Sequence, residues 1–191
     1  MDKFIEKNIP QELKKLPQWV AWQNKIPIDP NKLGIAYAKP NDYETWGMFF
    51  QAKNVCKKRS LDGIGFVFDK DNDILGIDID HCRNPFNGKI ESWAMDIVKA
   101  INSYTEISIS GKGLHIYVKG KIPPGRRRGK EIVIEIYNDK HYFTVSGWHV
   151  KGTPKNIKKR YEAVMELYEE HFFRIGITAR YTKMFPDAYP M

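Results

Sequence analysis

The chain has 191 residues, 42% hydrophobic and 13% aromatic, enough to build a real core in one sizeable domain, alone or with a small appendage. Thirty-one Lys and Arg against 23 Asp and Glu give a formal charge of +8, and the clusters Lys57-Lys58-Arg59, Arg126-Arg127-Arg128 and Lys158-Lys159-Arg160 favour a polyanionic partner. Cys56 and Cys82 are too few for a disulfide scaffold or a zinc site, no apolar run approaches the roughly 18 residues of a membrane span, and "MDKFIEKNIP" is too charged for a signal peptide. The reading is a soluble cytoplasmic protein with reduced thiols and no membrane partner.

In chain order, Gln11 to Leu16 reads as a short helix, "WVAWQ" (19 to 23) as a strand and "ETWGMFFQAKN" (44 to 54) as a second helix. "GIGFVFD" (63 to 69) and "DILGIDID" (73 to 80) are β-type runs joined by Lys70, Asp71 and Asn72, which suits a tight hairpin. A helix over 91 to 102 leads to "EISIS" (106 to 110), "GLHIYVKG" (113 to 120), "EIVIEIY" (131 to 137) and "HYFTVSG" (141 to 147). From 156 to 174, Ile157, Tyr161, Val164, Leu167, Tyr168 and Phe172 fall at three- and four-residue steps and predict an amphipathic helix. The fold class is α+β, with a mostly antiparallel sheet covered by helices.

Strand parity then sorts the chemistry. Asp78 and Asp80 share one face of their strand, opposite Leu75, Ile77 and Ile79. Two carboxylates that close repel unless one is protonated or a cation lies between them. His115, Tyr117 and Lys119 oppose Leu114, Ile116 and Val118, and Glu135 opposes Ile134 and Ile136. If these strands neighbour one another, Asp78, Asp80, His115 and Glu135 gather on one open surface, three carboxylates and a His, where two Mg²⁺ or Mn²⁺ ions would find oxygen ligands for handling phosphates. The plainer reading is a solvated strand face, with Glu135 paired to Lys119 or Lys130.

Ser110, Gly111, Lys112 and Gly113 form a small basic turn before His115, and glycine there lets backbone N–H groups approach an anion. It is no Walker loop, because a strand follows instead of a helix. It reads as a cradle for a nucleoside triphosphate, contacted by Ser110, Lys112 and His115; an ordinary glycine hairpin is the alternative. "DGIGFVFD" (62 to 69) echoes an RNA-recognition signature, but Asp62, Ile64 and Asp69 replace its basic and aromatic positions, so it reads as a core strand. The five tryptophans, Trp19 and Trp22 among them, read as packing residues.

"GIDIDH", "SISGKGLH" and "IEIYNDKHYFTVSG", in that order, resemble the primase-polymerase domain of the archaeo-eukaryotic primase superfamily, in the form found in phage and plasmid replication proteins. "WVAWQNKIPIDP" and "ETWGMFFQAKN" extend the likeness upstream, so it covers roughly residues 17 to 150. The resemblance implies a modified RRM-like catalytic sheet with an accessory α/β part, and DNA-templated nucleotidyl transfer from nucleoside triphosphates to a primer 3′-hydroxyl. It puts Asp78 and Asp80 on a D-x-D metal motif, Glu135 on the third acidic motif, and His115 on the nucleotide-binding S-x-H-type motif beside Ser110, Gly111, Lys112 and Gly113. His141 departs from the family's usual Arg. Residues 1–154 become the catalytic domain and 155–191 a helical extension, packed on it or leading towards a further module such as a helicase.

Arg126, Arg127 and Arg128, in "PPGRRRGK", are expected to hold phosphates of template or primer DNA, a merely solvated loop being the alternative. Two other readings remain at this point: a two-metal nuclease using the same acids, and a non-catalytic nucleic-acid-binding module.

Overall fold

The computed structural model describes residues 3–123 and 133–172. In chain order its elements are α1 (Gln11–Lys14), β1 (Trp19–Gln23), β2 (Ile26–Ile28), α2 (Phe49–Lys58), β3 (Gly63–Phe68), β4 (Ile74–Ile79), α3 (Ser92–Ile101), β5 (Tyr104–Ile107), β6 (Leu114–Lys119), β7 (Ile134–Tyr137), β8 (His141–Val145) and α4 (Tyr161–Phe172). The strands form two four-stranded antiparallel sheets, ordered β2-β1-β3-β8 and β5-β6-β4-β7.

The expected hairpin between β3 and β4 does not form, because the two strands belong to different sheets. Both are central strands. The two hydrogen-bonding edges of β3 are taken by β1 and β8, and those of β4 by β6 and β7, so neither has an edge left for the other. Residues 69–73 instead carry the chain across, held where Asn72 donates to the side-chain oxygen of Gln18 at 2.8 Å. The helix expected over 44 to 54 is also displaced. Tyr43–Thr45 make one 3-10 turn, Gly47 pairs with Trp19, and α2 starts only at Phe49. A Cβ on Gly47 would stand 2.9 Å from the Pro30 ring, so glycine permits this close pass.

The second sheet has two different faces. Leu75, Ile77, Ile79, Leu114, Ile116, Val118, Ile134 and Ile136 pack against α3 and α4 through Ala94, Val98, Ile101, Val164, Leu167 and Tyr168. The opposite face meets the first sheet through rings: Tyr117 lies 6.4 Å from Phe66 and 6.0 Å from both Phe68 and Phe143. Each ring so buried contributes about 2–3 kcal/mol. On the rest of that first-sheet face, Leu13 of α1 and Phe49, Ala52 and Cys56 of α2 cover Trp19.

Gly76 of β4 lies where Phe68 and Phe143 come closest, and a Cβ there would collide with both rings. Trp19, Trp22 and Trp46 are buried as expected, whereas Trp93 is 38% exposed. Cys56 and Cys82 are free and buried. Among the described residues, no helix is long and apolar enough to cross a membrane.

Candidate active site

The register of the second sheet sets Asp78 opposite His115 on one side and Glu135 on the other, with Glu106 opposite His115. Glu106, His115, Asp78 and Glu135 therefore form one row, a residue from each of the four strands. The next row, Tyr104, Tyr117, Gly76 and Tyr137, is the aromatic contact with the first sheet. The acids do not lie on an open surface, as alternation alone suggests. The side chains of His115 and Asp78 are 7% and 21% exposed and that of Glu106 is fully buried, because this face of the sheet is covered by β3 and β8.

His115 is held from three sides. Nε2 lies 3.7 Å from Asp78 Oδ1, Nδ1 lies 3.7 Å from Glu106 Oε1, and the ring stacks on Phe143 with centroids 4.5 Å apart. Burial opposes its protonation, but Glu106 and Asp78 outweigh that cost and hold its pKa above the ordinary value. Burial is also the main reason that the Asp78 carboxyl is pushed up to about 6; His115 opposes this rise, and Asp80 and Glu135 add to it.

Asp78 Oδ1 is buried with no hydrogen-bond partner. His115 Nε2 faces it from beyond hydrogen-bond distance, and a buried carboxylate oxygen without a hydrogen bond carries a cost that a cation relieves. Asp80 follows directly, half-buried, its N–H donating to Val133 O at 2.9 Å. Glu135 accepts from the Tyr137 hydroxyl, and Tyr137 stacks on His141 with centroids 3.7 Å apart. Lys119 pairs with Glu12. Among the described residues no three His, Cys, Asp or Glu side chains converge as a ready metal cage. The carboxylate oxygens of Asp78, Asp80 and Glu135 are nevertheless of the kind a hard divalent ion takes.

The turn before β6 is tightly made. Gly111 N–H donates to Ser108 O at 2.8 Å, Lys112 N–H to Ser110 Oγ at 3.2 Å and Gly113 N–H to Ser108 Oγ at 3.1 Å. Gly111 has φ +73, and a Cβ on Gly113 would stand 2.7 Å from Ile79 O, so both positions require glycine. The N–H groups expected to cradle an anion are thus bonded within the turn. Of the side chains at this turn, those of Ser110 and Lys112 are exposed, and His115, two residues after Gly113, is buried. Arg126, Arg127 and Arg128 lie outside the described residues.

Glu106 is the functional candidate that alternation missed. Reading its strand as 106 to 110 makes it a terminal residue, whereas β5 runs Tyr104–Ile107 and sets it beside His115. Its oxygens accept from Tyr104 OH (3.0 Å), Tyr117 OH (3.3 Å), Ser146 N–H (3.2 Å) and Gly147 N–H (2.8 Å). The available signal was a carboxylate in "YTEI" two residues after a tyrosine that could donate to it.

The chain is 32% identical over 168 residues to a DNA primase-polymerase of Nitratiruptor phage NrS-1, an alignment covering 83% of this chain and 23% of that protein. The chain therefore spans about a quarter of the length of this curated relative. No protein-family model matches it.

Proposed function

We propose that this chain is the catalytic domain of a DNA primase-polymerase, extending a DNA primer on a template with nucleoside triphosphates, in phage or plasmid replication. The observation that carries this reading is the row Glu106, His115, Asp78, Glu135, with an Asp78 oxygen in its middle that is buried without a hydrogen bond. The likeness to a phage primase-polymerase supports it from a separate direction. The finer fold is proposed with it: the archaeo-eukaryotic primase fold, with the β5-β6-β4-β7 sheet as its RRM-like catalytic part and the other sheet as the accessory part.

In this account Asp78, Asp80 and Glu135 hold two Mg²⁺ or Mn²⁺ ions, which when bound would supply charge neutralisation for an attacking 3′-hydroxyl and a leaving pyrophosphate. Lys112, Ser110 and His115 bind the triphosphate. Phe143 and Glu106 keep the His115 ring fixed, so its Nε2 edge stays beside Asp78, at the place this reading gives the triphosphate. Tyr137 steadies Glu135, and the rings between the sheets exclude water from behind the row.

A two-metal nuclease could use the same acids, but it has no need of a basic turn and a fixed histidine at their side. The two readings differ in whether triphosphate binds. Thermal unfolding in Mg²⁺ with increasing nucleoside triphosphate tests this: a rising midpoint supports the polymerase reading, and an unmoved midpoint at millimolar triphosphate contradicts it.

A further inference from the structure

Residues 83–90 fold into a loop whose tip is the most exposed large aromatic of the described chain, Phe86, at 97%. The loop is not loose. Asn84 Oδ1 accepts from the N–H groups of Phe86 (2.9 Å) and Asn87 (3.3 Å), Asn87 Oδ1 accepts from Lys89 N–H (2.9 Å), and Gly88 N–H donates to Asn84 O (2.9 Å). Arg83 and Ile90 close its base as a bridge. It is also fastened to the triphosphate turn: Arg83 N–H donates to Lys112 O at 2.9 Å and Arg83 Nη1 to Gly111 O at 2.7 Å.

A phenyl ring held out in water contributes nothing to the core, and the ordered backbone beneath it needs no rearrangement when something stacks on the ring. The chemistry around it selects the partner. From Cys82 to Ile90 there is no acid, Lys89 is exposed on the loop, and exposed Lys112 lies across the shared hydrogen bonds. An exposed aromatic ring on a loop that carries Lys89 and is bonded to the turn bearing Lys112 matches an unpaired nucleobase flanked by phosphates; bases within a duplex already stack on each other.

We propose that Phe86 is a stacking post for an unpaired base of single-stranded DNA entering beside the triphosphate turn, with Lys89 on the adjacent phosphate. This rests on the polymerase reading for its purpose but not for its test. The Phe86 ring makes no packing contact that folding requires, so its variants keep the fold.

Fluorescence anisotropy of a labelled oligo-dT, without metal or nucleotide, measures the affinity of the wild-type chain, Phe86→Ala, Phe86→Trp and Lys89→Ala across a salt series. Phe86→Ala should weaken binding by about five- to 150-fold at unchanged salt slope, the range for one lost base stack. Phe86→Trp should retain affinity, and Lys89→Ala should flatten the slope by about 0.7 of a unit, the single-strand value for one lost phosphate contact. With an oligonucleotide of abasic sites, wild type and Phe86→Ala should bind alike. Equal affinity of wild type and Phe86→Ala for oligo-dT overturns the proposal, as does an equal loss on blunt duplex, which would assign the ring to another contact. A chain that extends primers yet is indifferent to Phe86 overturns this inference alone. A chain that binds through Phe86 yet never extends a primer overturns the polymerase reading alone.

Discussion

Glu106 and His115 face each other across β5 and β6, Oε1 to Nδ1 at 3.7 Å, and the same carboxylate takes the N–H groups of Ser146 and Gly147 just after β8. One buried side chain thus fixes the site histidine and ties together the two sheets that enclose it. Each oxygen accepts one hydroxyl and one backbone N–H, so Glu106→Gln would turn an amide NH₂ towards a donor. The expected loss of stability is about 2 kcal/mol, read from urea unfolding, together with weaker triphosphate binding. Wild-type stability in this variant would remove Glu106 from its bridging role.

Gly76 tests the contact between the sheets. A methyl group at this position overlaps the rings of Phe68 and Phe143, and Phe143 also backs His115. Gly76→Ala should cost about 1–3 kcal/mol and weaken triphosphate binding through the displaced histidine. A variant with wild-type unfolding and affinity would show that the sheets meet differently.

His115→Ala and Lys112→Ala should each weaken triphosphate binding by about tenfold, the scale of one lost charge-assisted hydrogen bond, with a smaller effect on primed-template affinity. Titration of a fluorescent nucleotide against each variant is the check. Wild-type affinity in both would remove the turn and the histidine from the substrate site.

The Asp78 carboxyl, pushed up to about 6 from an ordinary 3.8, gives a pH signature. In the metal-free fold this group keeps its proton to higher pH than in the unfolded chain. Between the two values the folded state binds more protons, so this contribution to stability falls as pH rises. Asp78→Asn lacks the effect and should gain on wild type by on the order of 2 kcal/mol between pH 4 and pH 7. Mn²⁺, which displaces the proton, should stabilise wild type more at pH 7 than at pH 5 and leave the variant unmoved. A stability difference flat in pH would contradict this environment for Asp78.

Strand identity and face were legible because alternation is a local property: Asp78, His115 and Glu135 fall on one face of one sheet as parity requires. The partition into two sheets was not. The runs around Phe66 and Ile77 look alike, and which edges they share depends on distant partners, from Ile116 opposite Ile77 to Phe143 opposite Phe66. The open surface was misjudged for the same reason, since parity says which way Asp78 points and nothing about the β3 and β8 strands above it. Glu106 escaped notice because its four donors come from three separate segments of chain.

Primer extension by the wild-type chain and by Asp78→Asn, on a labelled primed template with nucleoside triphosphates and Mg²⁺ or Mn²⁺, tests the central claim most directly. The substitution removes one negative charge while keeping the size of a side chain whose Oδ1 is the unpartnered atom of the row. The account predicts template-directed lengthening by wild type, its loss when the metal is chelated, and none by a variant that unfolds no earlier than wild type. Lengthening by Asp78→Asn at the wild-type rate, or primer shortening by wild type in place of lengthening, would contradict it.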